Sequence, residues 1–128
     1  VEAIGGQLWR LRVEARPSRL HQVRHDVVDV LAQECPGVDL SAAALVVTEL
    51  AANAATHAYS ESGPLEVDVV CEPDAAVVTV RDWGRGFGPS RRSLGIGLQI
   101  VASLAEWFWI GGVHPTEVKA RLPRTHAG

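Results

Sequence analysis

Thr48-Glu49-Leu50-Ala51-Ala52-Asn53-Ala54-Ala55-Thr56-His57-Ala58-Tyr59 combines strong helix formers with three polar residues spaced four apart. Alanine and leucine predict a helix from an N-cap at Ser41 to about Ala58. On it Glu49, Asn53 and His57 share one stripe of an otherwise apolar element. Asparagine is a poor interior helix residue, and a carboxylate buried beside it is costly unless a charge or hydrogen-bonding group compensates. A metal ion with phosphates would compensate. An amide oxygen suits magnesium, and a carboxylate one turn away can orient a water or hydroxyl nucleophile. The same stripe also suits a solvated polar edge.

Upstream, residues 7–14 read as a first strand, and Pro17-Ser18 opens a helix whose apolar positions Leu20, Val23, Val27, Val30 and Leu31 recur every three or four residues. Pro36-Gly37 ends it. Downstream, Ser60 to Pro64 reads as a turn, and residues 65–71 and 75–81 as an antiparallel hairpin closed by Glu72-Pro73-Asp74. A glycine-rich stretch from Asp82 to Gly97 precedes a helix from about Ile96 to Ala105 and strands at 107–110 and 117–122. This order predicts an α+β two-layer sandwich, with a mixed, mostly antiparallel sheet and helices on one face.

With 128 residues the chain suits one domain spanning 1–128, and 47% hydrophobic with 21% charged residues is ordinary for a globular protein. A net charge of -3 argues against direct nucleic-acid binding. The apolar runs are too short for a membrane span, and the start has no leader pattern. Cys35 and Cys71 are far apart in sequence and lie in no zinc-like pattern, so neither a zinc site nor a disulfide framework is expected, and a reducing cytoplasm suits them. A chain opening on Val1 without any methionine suggests a piece cut from a longer protein or a re-engineered start.

Two further constellations carry chemistry. Asp82-Trp83-Gly84-Arg85-Gly86-Phe87-Gly88 follows an apolar strand, where a carboxylate can accept a hydrogen bond from an exocyclic amine and bare glycine backbone admits a flat ring. A tight turn capped by aspartate is the plainer reading. Gly95-Ile96-Gly97-Leu98 opens a helix whose backbone N–H groups and dipole suit phosphate. It is neither a Walker loop nor a dinucleotide fingerprint.

Together, ExxxNAxxHAY at Glu49 to Tyr59, DxGxG at Asp82 to Gly86 and GxGL at Gly95 to Leu98 resemble, in order, the N box and glycine boxes of the GHKL (Bergerat-fold) ATPase superfamily. The short length and the HAY ending are most similar to the bacterial anti-sigma-factor serine/threonine kinase branch. The resemblance spans roughly Leu8 to Leu122. It implies ATP and magnesium as cofactors, Asn53 as the metal ligand, and Glu49 as the catalytic base. His57 completes the box. It further implies that Asp82 reads the adenine amino group, that Gly84 and Gly86 shape its pocket, and that Gly95, Gly97 and Leu98 border the triphosphate. Thr116 resembles a threonine sharing a water with that aspartate, although Val113, His114 and Pro115 separate it from Gly111-Gly112. Residues 89–94 would form a short lid on which Arg91 or Arg92 neutralises the γ-phosphate; two solvated charges fit equally well.

The implied partners are a STAS-type anti-sigma-factor antagonist as substrate and a sigma factor held in one state; a homodimer is compatible with the resemblance. The rival expectation is a GHKL module that sequesters a partner without phosphotransfer, inside a larger phosphatase or sensor. A histidine-kinase catalytic domain fits less well because the lid is short. A structural domain that binds no nucleotide is the remaining alternative. His21 and His25 read as a solvated face, Trp9 as core or interface, and Trp83, Trp107 and Trp109 as packing or partner-facing aromatics.

Overall fold

In a computed structural model, residues 1–57, 63–84, 95–112 and 115–125 are described. The elements are β1 (Glu2–Ala3), β2 (Leu8–Glu14), a 3-10 turn (Pro17–Arg19), α1 (Leu20–Glu34), α2 (Leu40–His57), β3 (Pro64–Cys71), β4 (Ala75–Asp82), α3 (Gly95–Leu104), β5 (Trp107–Gly111) and β6 (Thr116–Pro123). The short β1 was not anticipated, and Pro17-Ser18 forms the 3-10 turn rather than α-helix.

The six strands form one sheet in the order β1-β2-β3-β4-β6-β5. Every pairing is antiparallel, so the expected mixed sheet is antiparallel between all neighbours. Strands β4 and β5 do run parallel to each other, but they are not paired. The β5–β6 hairpin folds back so that β6 takes the place between them.

Side-chain alternation separates two faces. Leu65, Val67, Val69 and Cys71 of β3, with Val78 and Val80 of β4, join Val23, Val27 and Leu31 of α1 and Val46, Val47 and Leu50 of α2 in one core. The four-residue steps along α1 are what turn those three side chains toward the sheet. Trp9 packs against this core from β2, as expected.

The opposite face carries a ladder of charge. Arg10 and Arg12 of β2 reach Asp68 and Glu66 of β3, and Arg81 of β4 pairs with Glu66, Asp68 and Glu117. Glu66 and Asp68 are buried although no helix among the described residues covers them, because the arginine side chains lie across them.

Two ends of the sandwich have different fastenings. At one end α1 turns into α2 through Gly37, whose φ of +99° and close approach to the Thr125 carbonyl exclude a side chain. Here Asp39, not Ser41, caps α2: its Oδ1 accepts the Ala42 N–H at 3.1 Å, the usual N-cap to N3 bond. Cys35 and Cys71 are joined by a disulfide at this end. The expectation of two separate thiols is thereby overturned. Thirty-six residues of separation hide a pair that the last residues of α1 and β3 bring to a Cα–Cα distance of 5.7 Å.

Candidate nucleotide site

The other end gathers the C-terminal half of α2, the start of β3, the end of β4, the start of β6 and the beginning of α3.

Glu49 and Asn53 are half-buried on α2. Their stripe is not a solvated edge, because α3 abuts it. A β-carbon on Gly97 would lie 2.8 Å from Glu49 Oε2 and 3.6 Å from Asn53 Oδ1. A side chain there would push the flexible carboxylate aside, so the second glycine of GxG lets α3 begin against an undisplaced Glu49 as well as exposing N–H groups. Its neighbour Leu98 turns inward against the core.

Asp82 and Thr116 face each other across the β4–β6 pair. By alternation both share the helix-facing side with Val80 and Val118. Asp82 is buried, and its Oδ1 accepts the Gly84 N–H at 3.1 Å. That closes a tight turn capped by aspartate, so the plainer reading of this motif is also present. Thr116 is 2 % exposed, and its Oγ1 has no hydrogen-bond partner among the described residues. A buried hydroxyl left unpaired costs free energy and calls for an explanation such as a water or ligand. It is the first residue of β6 rather than a loop residue before it.

Of the remaining expected residues, Gly95 opens α3 and His57 ends α2. Gly86, Arg91 and Arg92 lie outside the described residues. Trp83 is half-buried, whereas Trp107 and Trp109 on β5 are 45 % and 47 % exposed, as partner-facing aromatics would be. Lys119 stands 5.7 Å from the ring centroid of Trp109. The contact between Gly97 and Glu49 was missed in the sequence, where forty-eight positions separate the two; the only signal was a small residue repeated at a helix start.

An α+β sandwich with acid and amide on one helix, a glycine-rich helix start against them, and a buried aspartate–threonine pair at the sheet end has the form of a nucleotide-binding domain. The family model described as histidine kinase-like ATPase domain matches residues 13–119, and the chain belongs to that family. A search of curated proteins finds no match. No helix among the described residues is long and apolar enough to cross a membrane.

Proposed function

We propose that the chain is an ATP-dependent serine/threonine protein kinase of the anti-sigma-factor type, acting in the cytoplasm on a hydroxyl of a STAS-type antagonist and able to hold a sigma factor. The observation that carries this reading is the approach of Gly97 to Glu49 and Asn53. It sets a glycine-rich helix N-terminus, which favours phosphate, beside a carboxylate and an amide oxygen.

The residues present fit magnesium-ATP. Asn53 offers the hard oxygen that magnesium prefers, and Thr116 has a hydroxyl unpaired among the described residues beside a buried carboxylate, which suits an adenine edge or a shared water. The metal, when bound, neutralises phosphate charge as it develops in transfer. Glu49 would accept the proton of the attacking hydroxyl, and Asp82 would accept a hydrogen bond from the adenine amine. A module that only holds a partner needs no base at Glu49. The two exposed tryptophans on β5 favour that second reading, and holding a partner is compatible with catalysis.

Incubating the chain with γ-labelled ATP, magnesium and a STAS-domain antagonist tests the choice. Label on a serine or threonine of the antagonist is expected. ATP binding without transfer to any such protein would leave the sequestering module as the better reading.

A further inference from the structure

The end of the molecule away from the nucleotide site gathers three chain segments around two sulfur atoms. Cys35 follows the last turn of α1 and is fully buried; Cys71 ends β3 and is 6 % exposed. Arg124, just beyond β6, holds both segments. Its Nε donates to the Pro36 carbonyl at 2.6 Å and its Nη1 to the Glu72 carbonyl at 3.1 Å, the residues that immediately follow the two cysteines. The same Nη1 lies 3.4 Å from Cys71 Sγ. Backbone bonds add a second fastening: Arg124 N–H donates to Asp74, and Thr125 N–H to Gly37. Apart from the contact to Cys71 Sγ, these bonds join backbone groups rather than sulfur, so they are available to hold the two segments together in the dithiol as well.

We propose that Cys35 and Cys71 form a reversibly oxidised pair that reacts with hydroperoxides, with Cys71 as the attacking sulfur and Cys35 as the resolving one. The surroundings of the two sulfurs are unequal. A guanidinium beside Cys71 favours its thiolate, the reactive form, and Cys71, though buried, is the less enclosed of the two at 6 % exposed against 0 %. Cys35 has no exposure and sits at the negative end of the α1 dipole, which disfavours a thiolate. In the dithiol, the Cys71 thiolate attacks the terminal peroxide oxygen and the O–O bond breaks. The alkoxide leaves and takes up the proton that Cys71 has lost, giving an alcohol and a Cys71 sulfenic acid. The Cys35 thiol then attacks that sulfur: an S–S bond forms, the S–O bond breaks, and water leaves with the Cys35 proton. The two sulfurs together lose two electrons and the peroxide gains them. A dithiol reductant reverses the change by exchange.

The preference for a reversible bond over a permanent one rests on the ATP-dependent reading, because an enzyme that uses ATP works where thiols are ordinarily kept reduced. The test reads sulfur chemistry alone, so either idea can fail without the other. The full chain is reduced with dithiothreitol, desalted and treated with hydrogen peroxide, and thiols and mass are followed. One intramolecular disulfide per chain is expected, formed from a dithiol with a native circular-dichroism spectrum. In Cys35→Ser, dimedone should label Cys71 as sulfenic acid; in Cys71→Ser, Cys35 should stay unlabelled. Arg124→Gln should slow oxidation roughly tenfold, and Arg124→Lys should restore most of the rate. Dimedone on Cys35 instead of Cys71, an unchanged rate in Arg124→Gln, no reaction of the wild type with peroxide, or a dithiol form that is unfolded would each overturn the proposal.

Discussion

Gly97 of α3 and Glu49 of α2 stand so close that a single methyl group on the glycine would come within 2.8 Å of the Glu49 carboxylate. Gly97→Ala therefore sets two effects against each other. Alanine favours a helix over glycine by about 1 kcal/mol, which offsets the strain of moving a flexible carboxylate. If Glu49 is the proposed base, however, the displaced carboxylate would no longer meet the reacting hydroxyl in the same geometry. The expected result is a melting temperature within a few degrees of wild type and phosphotransfer lowered roughly tenfold to a hundredfold. A Gly97→Ala variant with the wild-type rate would show that the close approach has no catalytic consequence.

Glu49 and Asn53 lie one helical turn apart, and their proposed roles separate under substitution. Glu49→Gln keeps size and leaves the amide at Asn53, so nucleotide binding should stay within a few fold while transfer falls by roughly 10²–10⁴. Asn53→Ala should weaken magnesium-nucleotide binding itself, lowering occupancy and transfer together. Calorimetric affinities and single-turnover rates for both variants decide the matter. If both variants merely lose stability in parallel, the stripe is structural.

The difference between what local pattern reveals and what it hides is visible in these same residues. Helix α2 and its stripe were legible because a four-residue spacing is a local property, and the β3–β4 hairpin because Glu72-Pro73-Asp74 interrupts two β-rich runs. Asp39 and Ser41, two residues apart, have the same capping chemistry, so sequence alone does not choose between them; the choice depends on which backbone N–H groups are left orphaned. The insertion of β6 between β4 and β5, the Cys35–Cys71 bond and the Gly97–Glu49 contact all join distant positions, and one sequence carries no register for them. The buried Glu66 and Asp68 look like a solvent face when β3 is read alone. They become interior only when Arg10, Arg12 and Arg81 arrive from the neighbouring strands.

Asp68 gives the chain a pH dependence. Burial by itself raises the affinity of its carboxyl for a proton, but hydrogen bonds and charge from Arg10 and Arg81 outweigh that and hold it below the usual carboxylate value. A carboxyl that binds its proton more weakly when folded adds stability above the unfolded value of about 3.9, and the contribution disappears as pH falls through the lower folded value. Asp68→Asn should therefore cost about 1–2 kcal/mol near neutrality, a figure reduced for solvent reaching the arginine ends, and the two proteins should converge in acid. Urea midpoints measured from pH 7 downward test this. A mutant deficit that stays constant with pH would assign the loss to packing instead.

Thr116 offers the sharpest division between a structural and a ligand-binding role, because its hydroxyl is buried and has no partner among the described residues. Removing an unpaired buried hydroxyl while keeping the branched shape relieves a desolvation cost, so Thr116→Val should leave stability unchanged or raise it by about 1 kcal/mol in the absence of nucleotide. A hydroxyl that completes its bonding through adenine or a shared water has the opposite effect on affinity. Its loss should weaken ATP binding by roughly three- to tenfold, the worth of one neutral hydrogen bond. Asp82, its cross-strand neighbour, provides the comparison: Asp82→Asn replaces an acceptor-only carboxylate with a group that also donates, and should reduce discrimination for adenine more than Thr116→Val does. Thermal denaturation without ligand and calorimetric titration with ATP give the two numbers independently. Thr116→Val with lower stability and unchanged affinity would mean that the hydroxyl serves the fold, and Thr116 would then leave the nucleotide site.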